Sequence, residues 1–235
     1  MGRHFEVRAA AMAATAKAKS AIYMRASKEI YAAAKSGEPD PNSNLALRSA
    51  IEKYRKQCPK DVIDRAIEKA KGGDAVAYIP GRYEFMGPGG SNIVVDTLTD
   101  NVNRALVSVR TIVTRKGGKM ASVAYNFNLL GVLDFKGPKE EEVEEALVLG
   151  DVDVTSITVD EDGEIEATVA PSDLEKAKEA LKGIGVTDFD RAETTLLPNE
   201  WIEVGDEDKA KLNAMMSELD EAEDVQAVYT NVSNL

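Results

Sequence analysis

One cysteine, one histidine and one tryptophan are all that the 235 residues contain of those types, and each shortage closes off some chemistry. A lone Cys58 excludes an intrachain disulfide and any multi-cysteine zinc site. A lone His4 removes the usual base of a nucleophile triad and the usual ligands of catalytic zinc or a facial iron triad. No apolar run approaches the roughly 20 residues needed to cross a bilayer. The opening stretch MGRHFEVR carries charge with no large apolar segment behind it. A cytoplasmic protein with no membrane partner is therefore expected. Tracts of Pro, Gln or Ser are also missing, and with 43% hydrophobic and 30% charged residues the chain reads as an ordered protein of two or three domains.

What the sequence has in excess is negative charge, but unevenly. The net charge is −12; residues 1–73 carry 15 Lys and Arg against 8 Asp and Glu, a balance of +7, and the remainder stands at −19. A basic segment on an acidic body can condense on phosphate even when the whole molecule is negative, and the acidic body limits indiscriminate sticking. The alternative is a set of solvated, Lys-rich helices.

Within that basic segment Ile22, Ala26, Ile30 and Ala33 recur at helical spacing, with Lys17, Lys28 and Lys35 on the opposite side, which predicts one packed face and one ridge of ammonium groups. Gly37 and the prolines of Glu38-Pro39-Asp40-Pro41 end that helix, and Asn42 to Asn44 offer caps for the next. The second helix carries Leu47, Ile51, Tyr54 and Cys58 as its apolar stripe. The third starts at Pro59 and ends at Gly72-Gly73, with Val62, Ile63, Ala66, Ile67 and Ala70 inward.

After residue 73 the pattern turns mixed. Strands are expected at 78–85 and 92–99, a helix at 101–116, and strands at 123–127 and 131–135. There follows an acidic helix at 140–149, a hairpin of 152–159 and 164–169, a helix at 171–182 and a strand at 188–197, which together make an αββαβ unit. The closing helix at 206–219 and strand at 225–230 are too short for a domain and are expected to complete the sheet begun at Tyr78. The acidic middle is then an insertion. The expected fold class is α+β: a three-helix domain over residues 1–73, and two α/β domains of ferredoxin-like type, one formed by 74–135 with 199–235 and the other, 136–198, inserted in it.

Candidate binding groups follow from the charge. In the head they are Arg3, Arg8, Lys17, Lys19, Arg25 and Lys28, then Lys35, Arg48, Lys53, Arg55 and Lys56, and finally Arg65, Lys69 and Lys71. In the body Arg110 and Arg115, with Lys116 and Lys119 beside Gly117-Gly118, could form a second phosphate contact; a cation-rich helix end favoured by the helix dipole is the plainer explanation. Gly87-Pro88-Gly89-Gly90 could bring backbone N–H groups close to a phosphate. It lacks the Gly-Lys-Ser/Thr of a nucleotide-binding loop, however, and a tight connection between strands explains it more simply. Asp100 and Asn101 sit where a helix should start, so capping is preferred to catalysis. Trp201 is expected to pack under the 198–205 linker rather than to stack a base. No acid–base pair, cofactor motif or metal site emerges.

Several stretches, in order and spacing, resemble the YebC family: Tyr83-Glu84, Gly87-Pro88-Gly89-Gly90, Thr99-Asp100-Asn101-Val102-Asn103-Arg104, Lys116-Gly117-Gly118, Ser122-Val123-Ala124-Tyr125 and Asp224-Val225-Gln226-Ala227-Val228-Tyr229. Ala33-Ala34-Lys35, Asn44-Leu45-Ala46-Leu47-Arg48 and the run from Arg65 to Gly73 agree in the head. The resemblance spans essentially the whole chain and implies a helical N-terminal domain with two α/β domains, one inserted in the other. It also implies a non-enzymatic nucleic-acid-binding protein without cofactors. Members are described as DNA-binding transcriptional regulators, and some, including a mitochondrial translational activator of cytochrome oxidase, as acting in translation. The expected partners are accordingly ribosomal or transfer RNA, with the ribosome itself, or double-stranded DNA. Many members open with Gly-His-Ser-Lys-Trp where this chain has Gly2-Arg3-His4-Phe5-Glu6, so no role of a tryptophan-bearing arm is carried over.

Overall fold

The structure, a computed structural model, describes residues 3–72 and 76–235, with side chains from Lys17 onward. By contacts the chain forms two compact units, Met1–Asn126 with Glu200–Leu235, and Phe127–Asn199.

The first unit opens with three helices, α1 (Arg3–Lys35), α2 (Leu45–Tyr54) and α3 (Lys60–Lys71). They close around Ala26, Ile30, Tyr31, Leu47, Tyr54, Ile63 and Ala66, all buried, with Ile22 and Ala33 partly buried beside them; helical spacing selects all of these but Tyr31. Asn44 welds the α1–α2 turn. Its Oδ1 accepts the Leu47 N–H at 3.0 Å, capping α2, while its Nδ2 donates to the carbonyls of Ala33 and Glu38, each at 2.9 Å. One buried amide thus satisfies backbone groups at both helix ends.

The same unit contains a four-stranded antiparallel sheet of β1 (Ile79–Met86), β2 (Asn92–Thr99), β3 (Lys119–Met120) and, from the chain end, β8 (Val225–Thr230), in the order β3-β1-β2-β8. Helices α4 (Val102–Arg115) and α7 (Asp206–Asp220) cover one face. Phe85, Ile93 and Val95 from the strands meet Val109, Val113, Leu212, Met215 and Leu219 from the helices there. The closing helix and strand do complete the sheet begun near Tyr78, since β8 pairs with β2.

The second unit holds β4 (Phe127–Lys136), α5 (Glu140–Leu149), β5 (Val154–Val159), β6 (Glu164–Val169), α6 (Leu174–Gly183) and β7 (Arg191–Pro198). Its strand order β5-β6-β4-β7, with every pair antiparallel, is the βαββαβ ferredoxin-like arrangement. Two expectations are corrected here. The strand at 131–135 belongs to this inserted sheet, as its first member, and not to the sheet begun at Tyr78; the boundary therefore falls at 126/127 rather than 135/136. Residues 123–126 form no strand but end in a 3₁₀ turn, Ala124–Asn126. The physical reason is Glu84, whose carboxylate accepts the N–H groups of Val123 and Ala124 at 2.7 and 2.8 Å, taking the donors a strand ladder would have used.

Asp134 lies on the β4 face opposite Leu133 and Phe135, which enter the helix-side core. Its Oδ1 is buried without a hydrogen-bond partner. Burial pushes its carboxyl up to about 6; Arg191 opposes that shift, and Glu166, Glu164 and Asp190 add to it. A carboxyl that is harder to ionise in the folded than in the unfolded chain withdraws stability as pH rises from its unfolded value near 4 through about 6. Asp134→Asn should therefore raise the unfolding temperature of the protein at pH 7 to 8 and leave it unchanged near pH 4. Equal shifts at both pH values in a thermal melt would contradict this.

Candidate nucleic-acid interface

Helix α1 has two working sides. One packs α2 and α3. The other, which the sequence assigns to solvent, meets the acidic turn between α7 and β8. Lys17 pairs with Glu221 at 2.5 Å, and Arg25 bonds the carbonyl and carboxylate of Asp220. Lys28 donates to the Glu223 carbonyl at 2.9 Å and to Asp224 Oδ1 at 3.2 Å. Lys28 is 7% exposed, and its ammonium lies 5.6 Å from the centre of the Tyr78 ring. The expectation that Lys17, Lys28 and Lys35 form one solvent ridge fails at Lys28. Periodicity gave its angle on the helix correctly, but a second packed surface occupies that angle.

Asp224 is the hub of these bonds. Besides Lys28 it receives Arg104 through Nε at 3.0 Å and Nη2 at 2.8 Å. Burial alone would push its carboxyl up, but hydrogen bonds from Arg104, Lys28 and Thr99 outweigh burial and hold it below the usual carboxylate range. Arg104 also reaches Asp100 at 2.8 Å, and Asn101 Oδ1 accepts the Arg104 N–H at 3.0 Å as the N-cap of α4. The segment from Thr99 to Arg104 thus supplies a helix cap and ion pairs, as its position at a helix start suggests. Nothing in the sequence points to the hub: an acid just before a strand is ordinary until its partners, 196 and 120 residues away, are brought in.

The other head cations differ in how committed they are. Lys35 bonds the Gly72 carbonyl, and Arg48 bonds the carbonyls of Pro41 and Asn42. Lys53 joins Glu29, Arg65 joins Asp61 and Lys71 joins Glu68. Lys69 lies over the Tyr31 ring. Lys19, Arg55 and Lys56 are exposed. The side chains of Arg3 and Arg8 lie outside the described residues. Exposed ion pairs contribute only about 0 to 1 kcal/mol, so Arg65 and Lys71 can trade carboxylate for phosphate at little cost. Lys28 cannot, because removing it strands a buried carboxylate.

In the body, Arg115 and Lys116 share the single carboxylate of Glu218. Hydrogen bonds, from Lys116 first and then Arg115, outweigh burial there and hold that acid below its ordinary range. Arg110 is exposed. The Gly87 to Gly90 loop is a compact turn closed by Gly87 N–H on the Ser91 carbonyl at 2.7 Å and Ser91 N–H on the Pro88 carbonyl at 3.2 Å. Gly89 and Gly90 have φ of +66° and +76°. A Cβ on Gly89 would sit 2.7 Å from Val204 Cγ1, whereas one on Gly90 would meet nothing within 4 Å. The connector explanation accounts for Gly87 and Gly89, and Gly90 is the position that faces open space. A Cβ on Gly117 would lie 4.0 Å from Pro88, so the two glycine turns adjoin. Trp201 does not pack under its linker: it is 57% exposed, while its neighbour Ile202 bridges to Val232 and Val204 enters the core.

Among the described residues no group of three or more His, Cys, Asp or Glu is placed to hold a metal ion, and no helix is long and apolar enough to cross a membrane. Cys58 is buried, and burial pushes its thiol up, away from nucleophilic character.

Comparison with known proteins agrees along the whole length. Residues 3–73 match the family model described as the TACO1/YebC protein N-terminal domain, and residues 78–232 match that of the TACO1/YebC second and third domain. The chain is 47% identical to "Probable transcriptional regulatory protein Mfl546" of Mesoplasma florum, over 99% of this chain and 100% of that protein. It is 43% identical to "Probable transcriptional regulatory protein YeeN" of Escherichia coli K12, over 100% of each. The crystal structure of the conserved hypothetical protein Aq1575 from Aquifex aeolicus superimposes with a TM-score of 0.76 at 28% identity, covering 91% of this chain and 90% of that one.

Proposed function

The chain belongs to the TACO1/YebC family, and from that premise we propose that it is a nucleic-acid-binding regulator of gene expression that works by binding, without catalysis. The finer reading is a translation-associated factor in the cytoplasm whose helical head contacts ribosomal or transfer RNA, with the Gly87 to Gly90 loop at its working end. The observation that carries the reading is the division of labour among the cations. Lys17, Arg25 and Lys28 are bonded by the turn from Asp220 to Asp224, while Lys19 is exposed and Arg65 and Lys71 hold only exposed carboxylates on a +7 head attached to a −19 body. Such a layout attracts a polyanion to the head and repels it from most of the body. A second reading, a regulator binding double-stranded DNA, is favoured by the names of the two relatives above.

Sedimentation of the tagged protein from gently lysed cells separates the two. Co-migration with ribosomes that is lost to ribonuclease and survives deoxyribonuclease is the expected result. Migration with nucleoid DNA, abolished only by deoxyribonuclease, would move the assignment to the second reading.

A further inference from the structure

Four of the five residues from Asp220 to Asp224 are acids, and they begin where a helix end disfavours them. Helix α7 opens with Asp206, Glu207 and Asp208, as the helix dipole prefers, but it also ends on Asp220, with Glu221 as its C-cap. The unpaired carbonyls there already carry partial negative charge. Four carboxylates in so short a stretch repel one another as well. What offsets these costs is α1, which lies along the turn.

Lys17, Arg25 and Lys28 span about 16 Å of α1, and the turn pairs a carboxylate with each. Glu221 meets Lys17, Asp220 meets Arg25, and Glu223 and Asp224 meet Lys28. The two ends of this row differ. At Lys28 the cation and Asp224 have side chains only 8% and 5% exposed, and Asp224 is fixed a second time by Arg104. At Lys17 both partners are open, with Lys17 64% and Glu221 42% exposed. The buried end pins the turn, and the open end lays its carboxylates on α1 where phosphates could otherwise lie. Because the turn is tethered, those carboxylates stand at α1 at a high effective concentration that dilution cannot lower. Lys71 is different, since its partner Glu68 is a single exposed acid on the same helix and can swing aside. A phosphate that approaches Lys17 meets a fixed cluster of like charge.

We propose that the turn from Asp220 to Asp224 is an internal competitor for nucleic acid, an autoinhibitory contact that withholds Lys17 and Arg25 from phosphate. The inference rests on the reading of the protein as nucleic-acid-binding. It makes affinity a property of the turn as well as of the head, and it gives part of the head's positive charge a use on its own body.

The test uses the full chain with a fluorescein-labelled oligouridine and a labelled duplex DNA as probes, and reads affinity by anisotropy across a salt series. On each probe that the unmodified chain binds, Asp220→Asn/Glu221→Gln should tighten binding about two- to twentyfold. The logarithmic salt slope should steepen by about 0.7 per released cation on the single strand and about 0.9 on the duplex. Lys17→Gln should leave the unmodified chain's affinity within about threefold, yet remove at least half of the gain when added to the double variant. Glu144→Gln/Glu145→Gln makes the same change of net charge at exposed sites on α5 and should gain less than about twofold. Asp220 and Glu221 are exposed, so folding should be kept, which a thermal melt checks. Glu221→Gln alone, at the open end, should show the Lys17 share of the gain even if the double variant melts early. Unchanged affinity in both turn variants, an equal gain in the α5 control, or a gain that Lys17→Gln does not reduce overturns the inference and leaves the functional reading standing. No binding of either probe by any of these proteins overturns both.

Discussion

Replacing Asp224 with alanine is expected to cost the folded protein about 3 to 5 kcal/mol, the range for breaking a buried ion pair from one side. The variant leaves the Lys28 ammonium, 7% exposed, with the Glu223 carbonyl, the more distant Glu223 carboxylate at 3.8 Å and the Tyr78 ring, and deprives Arg104 of its bidentate partner. The effect should follow pH in a defined direction. A carboxyl held below its unfolded value contributes stability above that value, near 4, and loses it as pH falls through the lower folded one. The gap between wild type and variant in denaturant unfolding should therefore be full at pH 7 and shrink only in strong acid. A loss below about 1 kcal/mol at pH 7 would mean that the hub is a surface ion pair in energetic terms. The same hub bears on whether the head can be cut away. Because Val76 and Tyr78 pack against the head core and Lys28 reaches Asp224, a body lacking residues 1–73 loses partners for buried groups.

The second large effect is expected at Gly89. Alanine there must hold φ near +66° with its methyl 2.7 Å from Val204 Cγ1. Left-handed backbone costs about 1 to 2 kcal/mol and a core overlap about 1 to 3, so Gly89→Ala should destabilise by roughly 2 to 5 kcal/mol. Gly90→Ala bears only the first cost, about 1 to 2 kcal/mol, since its methyl enters open space. That difference makes Gly90 the useful probe. If the loop is the working end, Gly90→Ala stays folded and loses ribosome association or complementation of a deletion strain. A Gly90→Ala protein with full activity would leave the loop as a connector. Similar stability in the two variants would contradict the packing of Gly89 against Val204.

Much of the fold is legible in the sequence because its signals are local. The apolar stripes of α2 and α3, the Asn101 cap, the helix at 140–149 and the strands at 92–99 and 225–230 all depend on spacing and end chemistry, and they stand where those place them. The illegible parts are long-range. Residues 131–135 read as a strand, but nothing in an alternating pattern says which sheet will pair it; hydrogen bonds to β6 and β7, later in sequence, decide that. Lys28 reads as solvent-facing because a helical wheel has one apolar arc, and only the acidic turn at 220–224 reveals the second surface. Trp201 fails for a related reason: its neighbour Ile202 bridges to Val232, 30 residues on, and Val204 enters the core, while Trp201 stays exposed. Of the candidate interface, composition marks the basic head, while the pairing of Lys17, Arg25 and Lys28 with the 220–224 turn required the fold to be seen.

Polyanion binding is proposed to run through the exposed cations Lys19, Arg65 and Lys71 of the head and not through Lys17, Arg25 and Lys28, which the 220–224 turn holds. The most direct measurement is the salt dependence of equilibrium binding by the full chain and by Lys19→Gln/Arg65→Gln/Lys71→Gln, on single-stranded RNA and on duplex DNA. For every phosphate that is no longer neutralised, the logarithmic slope should fall by about 0.7 on a single strand and about 0.9 on a duplex. Weaker binding and a slope shallower by up to about 2 on RNA are the predicted result, with unfolding unchanged. Identical affinity and slope in the two proteins would contradict it.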